Sequence, residues 1–559
     1  MIKNIFIFIF LFAFGARSNN VTISSITTSG QDVSAGVNNA ANFTNIEFDL
    51  NWDNSWRRST GSSNWDAVWV FAKYRIETGG SCVSSAAWNH CTLSTTDAHH
   101  TVTTTNGVAA TSNVSSDGKG VFFHRTADGN GSINWDDVKL RWQYVTDGLS
   151  DDCEVTIKLF AIEMVYVPSG NFILGDGSTT TIAAFRTPGV AASTFTVTSD
   201  GAITVGGGGA GSLGRNAAVA QAGGADDWTE AAVPVNAPTT IPANFPVGYD
   251  AFYCMKYEIS QQQYVEFLNT LNGTQQAARC VAVTAGSFMC NTAATATPQN
   301  RNGVKCKVAP VGATPGEYGN DLDDDDTFGE TASDGLAIAC NWMLPADFLA
   351  YLDWAALRPM SELEYEKACR GSLPPIANEY PWGVASNITA ATTAGITNGG
   401  NVTETNSVAN SNVVYNGQTT GPMRCGAFST ASSNRITSGS TYYGILEMTG
   451  NVWEMCVIVG CAAGRSYRGG HGNGALNSAG AADVDYWPGI NGNGTTTTAN
   501  NVYGGVTGCT GRAGIAWRGA AYLNANWVKV SDRDYCGPGW NGHTVRDNRS
   551  GGRGVRTEP

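Results

Sequence analysis

The strongest constraint on the fold of this chain is a period-two alternation of apolar and polar residues in its first third. Ile46-Glu47-Phe48-Asp49-Leu50 shows the pattern, and further strand-like runs follow at 67–76, 121–124, 138–145 and 155–160, separated by Gly, Asn, Asp and Ser. Successive side chains of a β-strand point to opposite faces, so each run predicts a strand with one buried face. Residues 19–163 are therefore predicted to form a β-sandwich.

The composition of the 559 residues is typical of a mainly β protein with long polar loops. Charged residues make up only 14%, against about 25% in an ordinary soluble protein, and 67 residues are Gly. The aromatic content of 10% argues against a disordered chain. The net charge of −14 argues against a nucleic-acid-binding protein, which needs clustered basic residues.

The N-terminus has the pattern of a secretory signal peptide. Lys3 precedes the apolar run Ile5–Phe14, and Ala16-Arg17-Ser18 supplies small residues for cleavage after Ser18. A transmembrane anchor requires about 20 apolar residues, twice the length of this run. We expect residues 1–18 to be removed and the mature protein, without a transmembrane segment, to be secreted, extracellular or on the cell surface.

The fourteen cysteines are an even number, which in an exported protein predicts disulfides. None of them shows the CxxC spacing of a zinc or thioredoxin site. Cys82 with Cys91 and Cys280 with Cys290 are spaced to close short loops, and the wider connectivity stays open. We expect most of the fourteen to be oxidised.

Residues 164–559 are predicted to form an α+β unit with few helices. Helical spacing marks Glu258–Asn269 and Ala346–Trp354, and the capping box Ser361-Glu362-Leu363-Glu364 opens a helix that runs to Arg370. Stretches rich in Gly, Thr, Asn and Ala near 178–242, 384–420 and 491–510 are interpreted as insertions. Asp321 and Asp323–Asp326 form an acidic loop. Two interpretations stay open: the loop is only solvated, or it binds a cation.

Six motifs between residues 164 and 556 resemble those of the formylglycine-generating enzyme, or sulfatase-modifying factor, family. They occur in the family's order, at Met164–Phe172, Phe252–Ser260, Leu357–Ala368, Tyr380–Gly383, Tyr443–Glu454, and Trp517–Ala520 with Arg533 and Gly552–Arg556. The resemblance implies a C-type-lectin-like fold with little regular secondary structure. Together with the first unit, the expected fold class is mainly β with α+β, an N-terminal β-sandwich followed by a formylglycine-enzyme-like domain.

The family's catalytic metals have no matching ligands in this chain. The resemblance implies copper held by two cysteines after the "RGGS" turn, because Cu(I) prefers thiolates. Aligned on Arg518-Gly519-Ala520-Ala521, these two positions are Asn524 and Lys529. A related branch holds iron with three histidines, but the six histidines here include no H-x-x-x-H pair, and His99 and His100 would point to opposite faces of a strand. Neither copper nor iron is expected.

A structural calcium site is the metal site that the resemblance does carry over. The family's ligands fall on the side chains of Glu447 and Glu454 and on the backbone carbonyls of Gly450 and Val452. Carboxylate and carbonyl oxygens are hard ligands that suit Ca²⁺. The alternative is that Glu454 forms a salt bridge with an arginine.

The sequence as a whole favours a secreted or cell-surface structural or binding protein that keeps the domain without its copper chemistry. Such a protein would be a subunit of an extracellular filament or surface assembly, with partners in copies of itself, other surface proteins or glycans. The alternatives are a copper-dependent formylglycine-generating oxidase and a related non-haem iron enzyme. Buried charge-assisted hydrogen bonds, rather than acid–base catalysis, are the expected role of Glu258, Arg358 and Glu364.

Overall fold

The fold is taken from a computed structural model, which describes residues 21–206, 211–216, 240–290, 293–460, 462–488, 514–536 and 546–559. The predicted signal peptide, the insertion near 491–510, Cys461, Cys509 and His543 lie outside these ranges. No described helix is long and apolar enough to cross a lipid bilayer.

The first part of the chain consists of strands and one short 3₁₀ turn at Asp97–His99. The strands are β1 (Thr22–Asp32), β2 (Phe43–Arg57), β3 (Asp66–Ile76), β4 (Asn89–His90), β5 (Thr101–Thr104), β6 (Ala110–Val114), β7 (Val121–Arg125), β8 (Gly129–Trp142) and β9 (Val155–Val167). One antiparallel sheet has the order β1-β2-β8-β5. It packs against a second sheet that contains β6, β7, β3 and β9.

The core between the two sheets is formed by the residues that the alternation marked as inward-facing. On β2, Ile46, Phe48, Leu50 and Trp52 are at most 1% exposed, while the residues between them are half-buried. They share one apolar cluster with alternate residues of β3, β7 and β8. The structure confirms the mainly β fold.

The remaining elements are short and joined by long irregular segments. The helices are α1 (Gln261–Leu268), α2 (Gly273–Arg279), α3 (Pro345–Trp354), α4 (Glu362–Arg370) and α5 (Ala462–Arg465). The strands are β10 (Phe172–Leu174), β11 (Phe185–Arg186), β12 (Phe195–Val197), β13 (Ile203–Thr204), β14 (Gly214–Arg215), β15 (Thr240–Ile241), β16 (Phe252–Met255), β17 (Val304–Val308), β18 (Glu317–Asn320), β19 (Arg358–Pro359), β20 (Ile396–Thr397), β21 (Thr405–Asn406), β22 (Trp453–Val457), β23 (Ile515–Arg518), β24 (Ser550–Gly551) and β25 (Gly554–Thr557).

The helix boundaries follow the predicted signals. Ser361 Oγ accepts a hydrogen bond from Glu364 N at 3.1 Å, and Glu364 Oε2 accepts one from Ser361 N at 2.9 Å, which is the predicted capping box. The helix ends at Arg370, where Gly371 adopts a positive φ of 70°. The predicted helix at 258–269 is present as α1, capped by Ser260.

The strand β9 crosses the predicted domain boundary at 163/164 without a break. Its residues 155–165 pair with β3, and its last four residues pair with β16, so the sheet continues through β25 to β19. The face of β3 turned away from the sandwich core, with Ala67, Trp69 and Phe71, packs in the main apolar cluster of the second part. β3 is therefore buried on both faces, which explains why its middle has no polar alternation.

The expectation that most cysteines are oxidised is wrong for the described residues. They contain one disulfide, Cys82–Cys153, and nine cysteines with free, buried thiols, at positions Cys91, Cys254, Cys280, Cys290, Cys306, Cys340, Cys369, Cys425 and Cys456. The short loop from Cys82 to Cys91 is not closed, because Cys82 is bonded to Cys153 instead, and Cys91 packs in the sandwich core. Cys280 and Cys290 are likewise free. These thiols pack as small apolar side chains in the core, a role in which free cysteine is common.

Candidate functional site

Three of the candidate calcium ligands, Glu447, Gly450 and Val452, lie on the tight loop that leads into β22, and Glu454 lies on β22 itself. The loop turns sharply, with positive φ angles at Glu447 (52°), Gly450 (78°) and Asn451 (60°). At Gly450 a Cβ atom would come within 2.6 Å of the Val414 carbonyl oxygen, so glycine is required there. The backbone N–H of Gly450 donates to the Gly519 carbonyl at 2.8 Å, which fixes the loop against the end of β23.

The side chains of Glu447 and Glu454 are both buried, and each has one carboxylate oxygen without a hydrogen-bond partner. The second oxygen of Glu447 accepts from Gly426 N at 2.9 Å. The second oxygen of Glu454 accepts from Arg553 Nε at 2.6 Å. The salt bridge from Glu454 to an arginine, which the sequence left open as an alternative, is therefore formed. It leaves Oε2 of Glu454 without a partner.

A third buried carboxylate, Glu258, holds the loop in place. Its Oε1 accepts from Val452 N at 3.0 Å and its Oε2 from Asn451 Nδ2 at 2.5 Å. This confirms the expected loop-tying role of Glu258. Its position beside the candidate ligands was not predicted, because 193 residues separate it from Asn451.

The electrostatics of this cluster are dominated by excess negative charge. Burial raises the pKa of Glu447 to about 7, against the opposing effect of the Arg553 charge. Burial also raises the pKa of Glu454, and burial together with the charge of Glu454 raises that of Glu258 well above its ordinary range. Among the described residues, the ion pairs of the three carboxylates are limited to Arg553 with Glu454.

These residues fit a hard cation. Two unpartnered carboxylate oxygens in a site with more buried acids than bases are a donor set that suits Ca²⁺. The carbonyls of Gly450 and Val452 belong to the same turn. The bound ion would supply positive charge that stabilises the loop, with no chemical step.

Asn524 and Lys529, at the two aligned copper positions, have local polar roles. Asn524 Oδ1 accepts from Ala521 N at 3.1 Å within its own turn. Lys529 Nζ donates to Asn378 Oδ1 at 2.7 Å. Neither side chain offers a sulfur ligand.

The side chains of the described histidines contact other protein groups and do not form a three-histidine cluster. His90 contacts the Lys119 carbonyl, His124 contacts Asn113, and His471 accepts from Thr557 N. The expected strand geometry of His99 and His100 is wrong, because His99 ends the 3₁₀ turn and both side chains bond to Ser94. No group of three metal-ligating side chains that includes a histidine or cysteine occurs among the residues that the structure describes.

The helix α4 carries a buried charge network that braces the domain. Arg358 binds Glu364 through two hydrogen bonds of 2.7 and 2.9 Å, as expected for these two residues. Arg518 bridges Glu362 and Glu366, each at 2.9 Å. The sequence signal for Glu362 was its place in the capping box, whereas its pairing with β23 was not predicted.

Residues 192–459 match the family model of the sulfatase-modifying factor enzyme 1-like domain. The chain contains a domain of this family. The match includes Glu447 and Glu454 and ends before Asn524 and Lys529. A comparison with curated proteins finds no match.

Proposed function

We propose that this chain is a secreted or cell-surface structural or binding protein that uses a sulfatase-modifying-factor domain without copper chemistry. The observation that carries the proposal is the pair Asn524 and Lys529 at the aligned copper positions. Cu(I) requires soft ligands such as thiolates, and an amide and an ammonium group offer none. The ammonium of Lys529 would also repel the ion.

The candidate site's neighbours give no replacement for the missing thiolates. Cys456, on β22, is fully buried, and burial raises its pKa well above the ordinary range. A thiol that stays protonated is a poor metal ligand and a poor nucleophile. Two pockets of the described surface have volumes of about 250 and 170 Å³, and neither is lined by a cysteine.

These pockets are also smaller than the roughly 300–1,000 Å³ of typical small-molecule sites. Neither of these two pockets therefore supports the binding of a small substrate. The low content of charged residues, 14%, and the long Gly-, Thr- and Asn-rich loops agree with packing of the protein against copies of itself, other surface proteins or glycans. We therefore propose a role as a subunit of an extracellular filament or surface assembly.

Calcium has a structural role in this proposal. One Ca²⁺ would be held by the side chains of Glu447 and Glu454 and by the carbonyls of Gly450 and Val452. Its support is the pair of buried, unpartnered oxygens on the two glutamates. The ion would hold the turn at 447–452 against β23 and so stabilise the surface loops around it.

The copper assay tests the proposal most directly. The purified protein, incubated with copper, a reductant, oxygen and a sulfatase-type cysteine peptide, is expected to form no formylglycine, measured by mass spectrometry. The double variant Asn524→Cys/Lys529→Cys is the matched comparison for Cu(I) binding, measured by competition with a chromogenic chelator. Formylglycine produced by the unmodified protein would overturn the proposal.

Its location is tested separately. The mature protein is expected in the culture medium or the surface fraction, with Asn19 as its first residue by N-terminal sequencing. A protein that stays inside the cell with residues 1–18 attached would contradict the proposed export. It would not affect the proposal that the domain lacks copper chemistry.

A further inference from the structure

A second cluster of acidic side chains lies far along the chain from Glu447, in the loop after β18. Asp321, Asp323 and Asp325 bring one carboxylate oxygen each to within 4.8 Å of one another, and so do Asp323, Glu330 and Asp334. The two groups share Asp323. We call residues 321–334 the acidic loop.

One side of the acidic loop already has its counter-charge. Lys305 Nζ donates to Asp321 Oδ2 at 2.6 Å, Asp324 Oδ1 at 2.8 Å and Asp326 Oδ1 at 2.7 Å. Within the described part of the chain, no Lys or Arg forms an ion pair with Asp323, Glu330 or Asp334. The second group therefore keeps three carboxylates without a basic partner.

Asp334 distinguishes this group from an ordinary solvated cluster. It is 0% exposed, although Asp323 and Glu330 reach the surface. Its Oδ2 accepts from Glu330 N at 2.6 Å, while its Oδ1 is buried without any hydrogen-bond partner. A buried carboxylate oxygen left unpartnered destabilises the folded state, so a cation bound at this position would relieve that penalty.

We propose that Asp323, Glu330 and Asp334 form a calcium site. Oxygen ligands of Ca²⁺ lie 2.3–2.6 Å from the ion, so two ligands on opposite sides are about 5 Å apart. The 4.8 Å limit on all three oxygen separations is compatible with one shared ion. Three oxygen donors without nitrogen or sulfur exclude a preference for zinc or copper.

The choice of Ca²⁺ over Mg²⁺ follows from the build of the loop. Mg²⁺ demands near-ideal octahedral geometry at 2.0–2.1 Å, whereas Ca²⁺ accepts six to eight oxygens in irregular arrangements. Here one ligand is fixed in the interior, and the two exposed ligands are seven residues apart in the loop.

The ion would connect the acidic loop to a neighbouring surface segment. Val402 N donates to the Thr331 carbonyl and Gly335 N to the Gly400 carbonyl, both at 2.9 Å. Residues 331–335 therefore support part of the stretch 384–420, which contains β20 and β21. Calcium at Asp334 would order this polar surface as well as the acidic loop.

Calcium binding to the full-length protein, measured by isothermal titration calorimetry with calcium chloride alone, tests the site. Asp323→Asn changes an exposed ligand and should not disturb folding. It is expected to remove one calcium equivalent or weaken its binding at least tenfold. Asp334→Asn should do the same, and Asp137→Asn, an exposed acid on β8, is the matched control that should bind as the unmodified protein does.

The outcomes separate this site from the one at Glu447 and Glu454. Loss of one equivalent in Asp323→Asn, with a different equivalent lost in Glu454→Gln, supports both sites. An unchanged titration of Glu454→Gln counts against that site only. Identical stoichiometry and affinity in Asp323→Asn and the unmodified protein would overturn the acidic-loop site, and so would a site that takes up Mg²⁺ but not Ca²⁺.

Discussion

Buried charge is the most unusual property of single residues in this protein. Taking a carboxylate out of water costs several kcal/mol unless a partner replaces the lost hydration. Glu364 has such a partner in Arg358, which binds both of its oxygens. Glu454 forms an ion pair with Arg553 and keeps one oxygen unpartnered, and the charge of Arg553 also acts on Glu258 and Glu447. The two glutamates therefore predict different responses to an added cation.

The change Glu454→Gln tests this difference. Calcium bound only to the folded state raises the stability by RT ln(1 + [L]/Kd), about 2.7 kcal/mol at a hundredfold excess over Kd. The comparison is made in the Asp323→Asn background, so that calcium binding at the acidic loop does not contribute. We expect calcium to raise the Tm of Asp323→Asn and to leave the Tm of Asp323→Asn/Glu454→Gln unchanged, as measured by calorimetry in calcium and in chelator.

The matched control is Glu364→Gln, which removes a buried charge of similar kind away from the site. It should lower the Tm and keep the full calcium increment. A calcium increment that survives in Glu454→Gln would reduce Glu454 to a salt-bridge residue.

Sequence reasoning named the candidate ligand residues but not the groups that surround them. Glu447 and Glu454 stand in one contiguous motif, so it was predictable that they lie on the same loop-and-strand segment. Arg553 lies 99 residues after Glu454 and Glu258 lies 194 residues before Val452, and no local pattern encodes such pairings. Asp334 was missed for a similar reason, because its isolation from solvent depends on the packing of the acidic loop.

Among the elements, β9 determines how the two parts of the chain are joined. Glu163 lies on β9 near the point where it leaves β3 and meets β16. Lys256, directly after β16, donates from Nζ to Glu163 Oε1 at 2.5 Å. Asp66 on β3 is also buried nearby, so one ammonium faces two carboxylates. Burial, with a contribution from the charge of Asp66, raises the pKa of Glu163 to about 7.

This raised pKa predicts a pH dependence of stability. An unfolded glutamate releases its proton near pH 4.3, whereas the folded one holds it to about pH 7. Between these values the folded state binds more protons, so the free energy of unfolding falls as the pH rises. Glu163→Gln should reduce that fall between pH 4.5 and 7.5 by roughly 3 kcal/mol, measured by urea unfolding.

Glu317→Gln is the control for this measurement, since Glu317 is an exposed glutamate paired with Lys307 at the surface. It should show the pH dependence of the unmodified protein. An equal fall in Glu163→Gln and the unmodified protein would mean that Glu163 is ionised throughout this range.

The elements themselves were predictable to different degrees. The alternation on β2 and the capping box of α4 are local signals, and both elements formed as expected. The strand β3 is buried on both faces because a second core packs on its outer side, so its pattern alone did not indicate what would cover it. The cysteines failed as a guide because an even count describes possible pairings, not which thiols come within bonding distance.

At the scale of the whole molecule, the two parts of the chain share a sheet and several buried contacts. Trp69 Nε1 on β3 donates to the Ala355 carbonyl at 3.0 Å, and Lys73 Nζ donates to the carbonyls of Trp354 and Gly474. Arg556 on β25 binds both carboxylate oxygens of Asp117 at 2.7 Å. Unfolding of either part would expose the apolar face of β3 and leave these polar groups unpaired.

The shared sheet therefore predicts that residues 19–559 unfold in one cooperative transition, although a chain of this length commonly unfolds domain by domain. Calorimetry of the full chain should show a single peak whose calorimetric and van't Hoff enthalpies agree. Asp117→Asn, which leaves Arg556 buried without its ion pair, should lower the Tm and keep the single peak.

A fragment of residues 19–163 exposes Trp69, Phe71 and Phe122, which the intact protein covers. We expect that fragment to bind a hydrophobic dye and to aggregate. A soluble fragment with its own sharp unfolding transition would contradict this. It would show that the sandwich folds independently and that the shared sheet is only a docking surface.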